Sequence, residues 1–143
     1  MTINYIDSIS ADDLPATFTK FFVESVSVGF PSPANDYLES PIDLNRYLIK
    51  NNIATFLVRV SGDSMIDANI ANQAILIVDR SLEPKNGSIV VASLDGEFVC
   101  KRLQLKPRLC LIAENPDYDP IYIQHSQELN IMGTVTAAIN KFE

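Results

Sequence analysis

Ile89-Val90-Val91-Ala92-Ser93-Leu94-Asp95-Gly96-Glu97-Phe98-Val99-Cys100-Lys101-Arg102-Leu103-Gln104 holds two apolar runs, rich in β-branched and aromatic residues, on either side of an Asp-Gly pair. Asp-Gly is a strong two-residue hairpin signal, because both residues tolerate the positive φ that suits the twist of the flanking strands. An antiparallel hairpin of strands 88–94 and 97–105 is expected. Working outward, short apolar runs recur between turn signals and predict strands near 54–60, 74–79, 108–113, 121–123 and 130–139. Lys106-Pro107 turns one pair, and Glu83-Pro84-Lys85-Asn86-Gly87 is a loop. This spacing indicates a mainly β domain, a small sandwich or barrel-like fold. Ser40-Pro41-Ile42-Asp43 offers a capping serine, a proline at the first helical position and an acid three residues after the cap. One short helix is expected from there to about Lys50, burying Leu44, Leu48 and Tyr47.

Within the hairpin, a period of two places Lys101 on one face with Val99, Leu103 and Leu105, and sends Arg102 to the other with Phe98 and Cys100. A lysine on an apolar face has two uses. It can guard an edge strand or snorkel to water, or it can lose its proton to desolvation and serve as a base. Lowering a lysine pKa from about 10.4 to about 7 costs roughly 4 to 5 kcal/mol, which only a packed site sustains.

The run Thr55-Phe56-Leu57-Val58-Arg59-Val60 ends in Ser61-Gly62-Asp63-Ser64-Met65. A serine on a glycine-containing turn just past a strand is well placed to be a nucleophile, and the same residues also make an ordinary tight turn. Nucleophilic use requires a base within reach. The single histidine, His125, sits in the polar stretch Ile123-Gln124-His125-Ser126-Gln127, which reads as a solvated loop and supports a histidine triad poorly. Lys101 is the other candidate.

Ser-Gly-Asp-Ser-Met followed by Asp-Gly-Glu-Phe-x-x-Lys-Arg-Leu-Gln-Leu resembles the self-cleaving serine peptidases of the LexA/UmuD family. Further matching segments are Gly29-Phe30-Pro31-Ser32-Pro33-Ala34, Ile42-Asp43-Leu44-Asn45, Ser64-Met65-Ile66-Asp67 and Leu76-Ile77-Val78-Asp79. The resemblance runs from about Gly29 to the C-terminus and is closest to the SOS mutagenesis members. It implies a LexA-type peptidase domain with Ser64 as nucleophile, Lys101 as base and backbone N–H groups of Asp63 and Ser64 as oxyanion donors. The side chain of Asp63 is assigned to the turn, since a full charge near Lys101 would work against a neutral base. Self-cleavage in the family maps to the Val28-Gly29 bond. Relatives usually carry alanine or cysteine at the position of Val28, and the bulkier β-branched valine is expected to slow the cut. The resemblance further implies a homodimer, with Asn45 and its neighbours at the interface, and stimulation by a RecA filament on single-stranded DNA. The product beginning at Gly29 would act as accessory subunit of a translesion DNA polymerase. Only 28 residues precede the cut, and they lack basic character, which disfavours a LexA-type repressor with a helix-turn-helix domain. The rival from another class is a non-enzymatic dimeric binding module that regulates a polymerase while its cleavage site stays idle.

With 143 residues, 47 % of them hydrophobic, the chain is long enough for one domain with a sizeable core and short for two. Acidic residues outnumber basic ones 18 to 11, for a net charge of −7, which disfavours direct nucleic-acid binding and favours protein partners. The longest apolar run, Ala74-Ile75-Leu76-Ile77-Val78, falls far short of the ~20 residues of a membrane span. The first residues carry no basic region followed by an apolar one, so a cytoplasmic protein is expected. Cys100 and Cys110 fall in adjacent predicted strands. With Lys106-Pro107 as the turn, Cys100 would face Ala113 and Cys110 would face Leu103, so both read as small core residues, with no metal cluster and no cofactor.

The division expected is an arm, 1–39, and a peptidase and dimerisation domain, 40–143. In the arm, Asp12-Asp13 and Pro15 could open a short helix through Phe18, Phe21 and Phe22. Such a helix would pack on the main domain or cover a partner surface until it is cut away. The prolines of Ser25-Val26-Ser27-Val28-Gly29-Phe30-Pro31-Ser32-Pro33 favour an extended segment.

Overall fold

Ten strands account for half of the residues described in a computed structural model that covers residues 2–6, 18–22 and 38–143, with side chains described from residue 41 onward. They are β1 (Thr2–Ile6), β2 (Phe18–Phe22), β3 (Leu38–Asp43), β4 (Thr55–Ser61), β5 (Ile75–Asp79), β6 (Ile89–Leu94), β7 (Glu97–Gln104), β8 (Cys110–Ile112), β9 (Ile121–Tyr122) and β10 (Leu129–Ile139). Two compact units hold them, one made of Met1–Ser8 with Asn51–Glu143 and one of Ile9–Lys50.

In the larger unit eight strands form one antiparallel sheet in the order β1-β4-β5-β10-β6-β7-β8-β9. β1, at one end of that order, also lies against β7, so the sheet curls back on itself in a barrel-like way. Every strand expected between residues 54 and 139 is present within a residue or two. The Asp95-Gly96 hairpin is formed as expected, with Leu94 opposite Glu97 and left-handed φ values of 50° and 86° at the two turn residues. Alternation along the strands builds two cores. Phe56, Val58, Val60, Met65, Leu76, Val78, Val91 and Cys100 form one, and Val90, Ala92, Leu103 and Leu111 form the other, with Val99 and Leu129 packed against it. β6 and β7 therefore contribute to both, one core from each face. Gly133 lies at a bulge in β10, where an added Cβ would stand 2.6 Å from Val78 Cγ1 and 3.2 Å from the Asp79 carbonyl oxygen. Only glycine fits this close approach.

β7 and β8 pair one residue out of the expected register, with Gln104 opposite Cys110 and Leu103 opposite Leu111. The connection extends past Lys106-Pro107 to Leu109, and Asn86 Oδ1 accepts the Leu105 N–H at 2.7 Å just beyond the end of β7. Both cysteines are nonetheless free and buried.

The smaller unit departs from expectation at two places. Phe18–Phe22 is a strand, not part of a helix, paired antiparallel with β3. A short aromatic run cannot be told from a helical one by periodicity, and here the partner strand decides. The helix α1 (Leu44–Leu48) starts three residues later than expected. Asp43 caps it, accepting the Asn45 N–H at 3.1 Å, while Ser40 and Pro41 remain in β3. The register shifts between Thr19 and Phe21, opposite Ser40-Pro41, so the proline falls at a bulge where its missing N–H costs no ladder bond. Leu44 and Tyr47 are exposed on α1, contrary to the burial expected of them, and Leu48 is half-buried. The expected extended segment and the Val28-Gly29 bond lie outside the described residues. Among the described residues no helix is long and apolar enough to cross a membrane.

Candidate active site

β4 delivers the chain into a turn at Gly62, whose φ of 103° suits glycine. The Gly62 N–H donates to Asn72 Oδ1 at 2.7 Å. Past the exposed Gly62 and Asp63 the chain turns inward. Ser64 and Met65 are both 0 % exposed, and a 3-10 turn at Ile66–Ala68 follows. Met65 inserts into the first core and so holds its neighbour Ser64 below the surface. Among the described residues the buried Ser64 Oγ has no hydrogen-bond partner. Burying a hydroxyl unpaired costs about 1–3 kcal/mol, so the position is not what an ordinary turn serine would adopt. Among the described residues, the N–H groups of Asp63 and Ser64 also have no acceptor.

Lys101 stands in β7 opposite Val90, between Val99 and Leu103 on the face of the second core. It is 6 % exposed, although Leu105 lies past the end of the strand and is exposed. Burial pushes its ammonium below the ordinary lysine value, with a smaller opposing effect from Cys100. Among the described residues no carboxylate lies within ion-pair distance of it. Its Nζ instead sits 5.3 Å from the centre of the Tyr118 ring. Cys100, next along the strand, points into the first core, where desolvation pushes its thiol up to about 12 and keeps it neutral.

The stretch 114–118 joins these two places. The Tyr118 hydroxyl donates to Asp63 Oδ1 at 2.6 Å, and this bond, first among the causes, raises the tyrosine above its usual value. Asn115 Nδ2 donates to the Asp63 carbonyl at 2.9 Å. The Glu114 N–H points at Met65 Sδ at 3.4 Å, and the Glu114 carbonyl accepts the Asp67 N–H at 2.8 Å. Glu114 also pairs with Arg102, the neighbour of Lys101. Tyr118 thus touches the serine-bearing turn through its hydroxyl and the lysine through its ring. Ser64 Oγ and Lys101 Nζ are not hydrogen-bonded to each other.

The side chain of Asp63 makes a long-range tether, where the sequence suggested only a local turn role. Asn115 and Tyr118, between the strands expected near 108–113 and 121–123, carry no motif that marks them in the sequence. His125 is exposed in its turn, as expected, and takes no part. Among the described residues no group of three His, Cys, Asp or Glu is placed to hold a metal ion.

The profile of the Peptidase S24-like family matches residues 20–136. The chain is 48 % identical to Protein SamA of Salmonella typhimurium over 120 residues, 84 % of each chain. It is 43 % identical to Protein MucA of Escherichia coli over 120 residues, 83 % of this chain and 82 % of that one. A LexA repressor from Bordetella petrii is 36 % identical over 118 residues, 82 % of this chain but 52 % of the repressor. Family profile, β architecture and relatives agree with the motifs read in the sequence, and the chain belongs to the Peptidase S24-like family, as a UmuD-type member of the LexA/UmuD group.

Proposed function

We propose that the chain is a self-cleaving serine peptidase of the SOS DNA-damage response, with Ser64 as nucleophile and Lys101 as general base. The observation that carries this reading is a fully buried, unpartnered Ser64 hydroxyl on a turn that shares Tyr118 with a desolvated, carboxylate-free Lys101. A serine without a base is a poor nucleophile, and a lysine is a base only where burial suppresses its charge.

In this mechanism the 28–29 bond lies across the site. Ser64 Oγ attacks the Val28 carbonyl carbon as its proton passes to neutral Lys101 Nζ. The oxyanion is held by the Asp63 and Ser64 N–H groups. Lys101 then returns the proton to the Gly29 amine, which leaves, and water hydrolyses the acyl-enzyme through the same lysine. The missing Oγ–Nζ hydrogen bond is one that docking of the arm would close, since catalytic contacts tighten in the substrate complex. A RecA filament on single-stranded DNA would stimulate the cut by favouring the docked conformation. The product beginning at Gly29 would serve in the cytoplasm as accessory subunit of a translesion DNA polymerase, acting as a homodimer with no direct hold on nucleic acid. Exposed Leu44 and Tyr47, flanking Asn45 on α1, support a partner-facing helix.

The same open Oγ–Nζ geometry favours a second reading, a non-enzymatic dimeric module whose site is idle. Incubating the full chain with and without the RecA filament, beside Ser64→Ala and Lys101→Ala, separates the two by intact mass. The peptidase yields a fragment beginning at Gly29 that both variants lack. The idle module yields none under any condition.

A further inference from the structure

The bonds that reach the serine turn from 114–118 are not spread evenly. One of them, together with a local bond, fixes a single peptide plane, the one linking Asp63 to Ser64. Its carbonyl oxygen accepts from Asn115 Nδ2 at 2.9 Å and from the Ile66 N–H at 3.2 Å, which occupies both of its lone pairs. The peptide is trans, as is every described bond except Lys106-Pro107. In a planar trans peptide the C=O and the following N–H point in opposite directions. Anchoring the Asp63 oxygen therefore aims the Ser64 N–H the other way, and that N–H has no acceptor among the described residues.

Asn115 is built for this grip. It is 8 % exposed, and its Oδ1 accepts the Asp117 N–H at 2.9 Å, so both ends of its amide are used and its orientation is fixed. The Ile66 bond closes a local turn that many sequences make. The Asn115 bond is the long-range one, and it ties the plane to the same stretch that carries Tyr118 to Lys101.

We infer that Asn115 is a positioning residue for the oxyanion site: by holding the Asp63 carbonyl it presents the Ser64 N–H to the oxygen that becomes negative when the scissile carbonyl is attacked. The inference rests on the peptidase reading. It gives Asn115 a role in stabilising the transition state that is separate from deprotonation of Lys101.

Asn115→Ser tests it. A serine hydroxyl still accepts the Asp117 N–H in a local turn, but it is too short to reach the Asp63 carbonyl. Removing an oxyanion donor outright costs about 10²–10³ in rate. Releasing the plane that aims one is expected to lower the alkaline plateau of self-cleavage by about 10- to 100-fold. The pH midpoint should stay in place, because Lys101 is untouched, and labelling of Ser64 by a fluorophosphonate should slow in parallel, because that probe also places an oxygen in the site. An unchanged plateau, a fall accompanied by a shifted midpoint, or slowed cleavage with unaltered labelling would each overturn the inference. If Asn115→Ser does not fold, the isosteric Asn115→Asp, which keeps the Asp117 bond and cannot donate to Asp63, decides by its plateau and labelling rate. A wild type that is neither cut nor labelled, matching Ser64→Ala, removes the peptidase reading and this inference with it. A competent wild type with an unaffected Asn115 variant removes the inference alone.

Discussion

Two turns of the larger unit use the same chemistry to opposite ends. At Asp95-Gly96 the chain leaves β6, passes through two left-handed residues and re-enters the sheet at once as β7, with both turn residues exposed. At 61–65 it leaves β4 through left-handed Gly62 and dives, placing Ser64 and Met65 beneath the surface. The first turn is tied by Asp95, whose N–H and Oδ1 pair with the Glu128 backbone. The second is gripped by Asn72, Glu114, Asn115 and Tyr118. Glycine at positive φ announces both turns in the sequence. Whether such a turn merely connects strands or buries a hydroxyl depends on residues far along the chain, and that is where the two part.

Substitutions can break this contrast. Ser64→Ala is expected to reduce formation of the Gly29 fragment by at least about 10³-fold, whereas Asp95→Ala leaves the cleavage rate unchanged, as intact-mass time courses would record. The next effect separates the glycines. Alanine at Gly62 or Gly96 forces a left-handed conformation costing about 1–2 kcal/mol. At Gly96 an added Cβ meets nothing within 4 Å. Denaturant melts should therefore show a similar loss for both variants, with only Gly62→Ala cleaving more slowly, by about tenfold if the strain reaches the neighbouring peptide.

Much of this was legible. The strand runs and the Asp-Gly signal place the larger unit's sheet, because alternating burial imposes a period of two that survives in the sequence. Ser64 and Lys101 stand out by motif. What the sequence hides is pairing at a distance. Phe18–Phe22 becomes a strand only because β3 lies beside it, and the α1 start moves from Ser40 to Asp43 because Pro41 is taken up in a bulge of that pair. Asn115 and Tyr118 belong to an Asn-Pro-Asp-Tyr stretch whose local chemistry announces a turn, while its bonds to Asp63 span the whole middle of the chain.

A smaller effect concerns stability against pH, where the neighbours on β7 oppose each other. Lys101 has a folded-state pKa below the ordinary 10.5. The folded chain therefore binds fewer protons than the unfolded one between those two values, and stability rises with pH across that window. Below it the full cost of the buried ammonium is present. Lys101→Met removes that cost, so its advantage over the wild type should shrink as pH climbs toward 10.5. Cys100 runs the other way. Its thiol holds its proton to about 12 against an ordinary 9.0, so its contribution is complete below pH 9 and is lost as pH rises toward 12. Cys100→Ala should flatten the alkaline fall in stability. Urea melts of the three proteins across pH 7 to about 12 would record both slopes.

The smallest change expected is from Tyr118→Phe. It deletes the exposed hydroxyl bond to Asp63 and keeps the ring beneath Lys101. Cleavage should slow only a few-fold, and a larger loss would mean that the Asp63 tether does more than steady the turn.

The measurement closest to the central claim is the rate at which the Gly29 fragment appears from the purified full chain, followed from pH 6 to about 11. An unperturbed lysine is neutral in only about one molecule in two thousand near pH 7.1. A desolvated Lys101 acting as base predicts a rate that rises with pH to a plateau, with its midpoint below 10.5, and that disappears in Lys101→Ala. A rate independent of pH, or cleavage surviving in Lys101→Ala, would contradict the account.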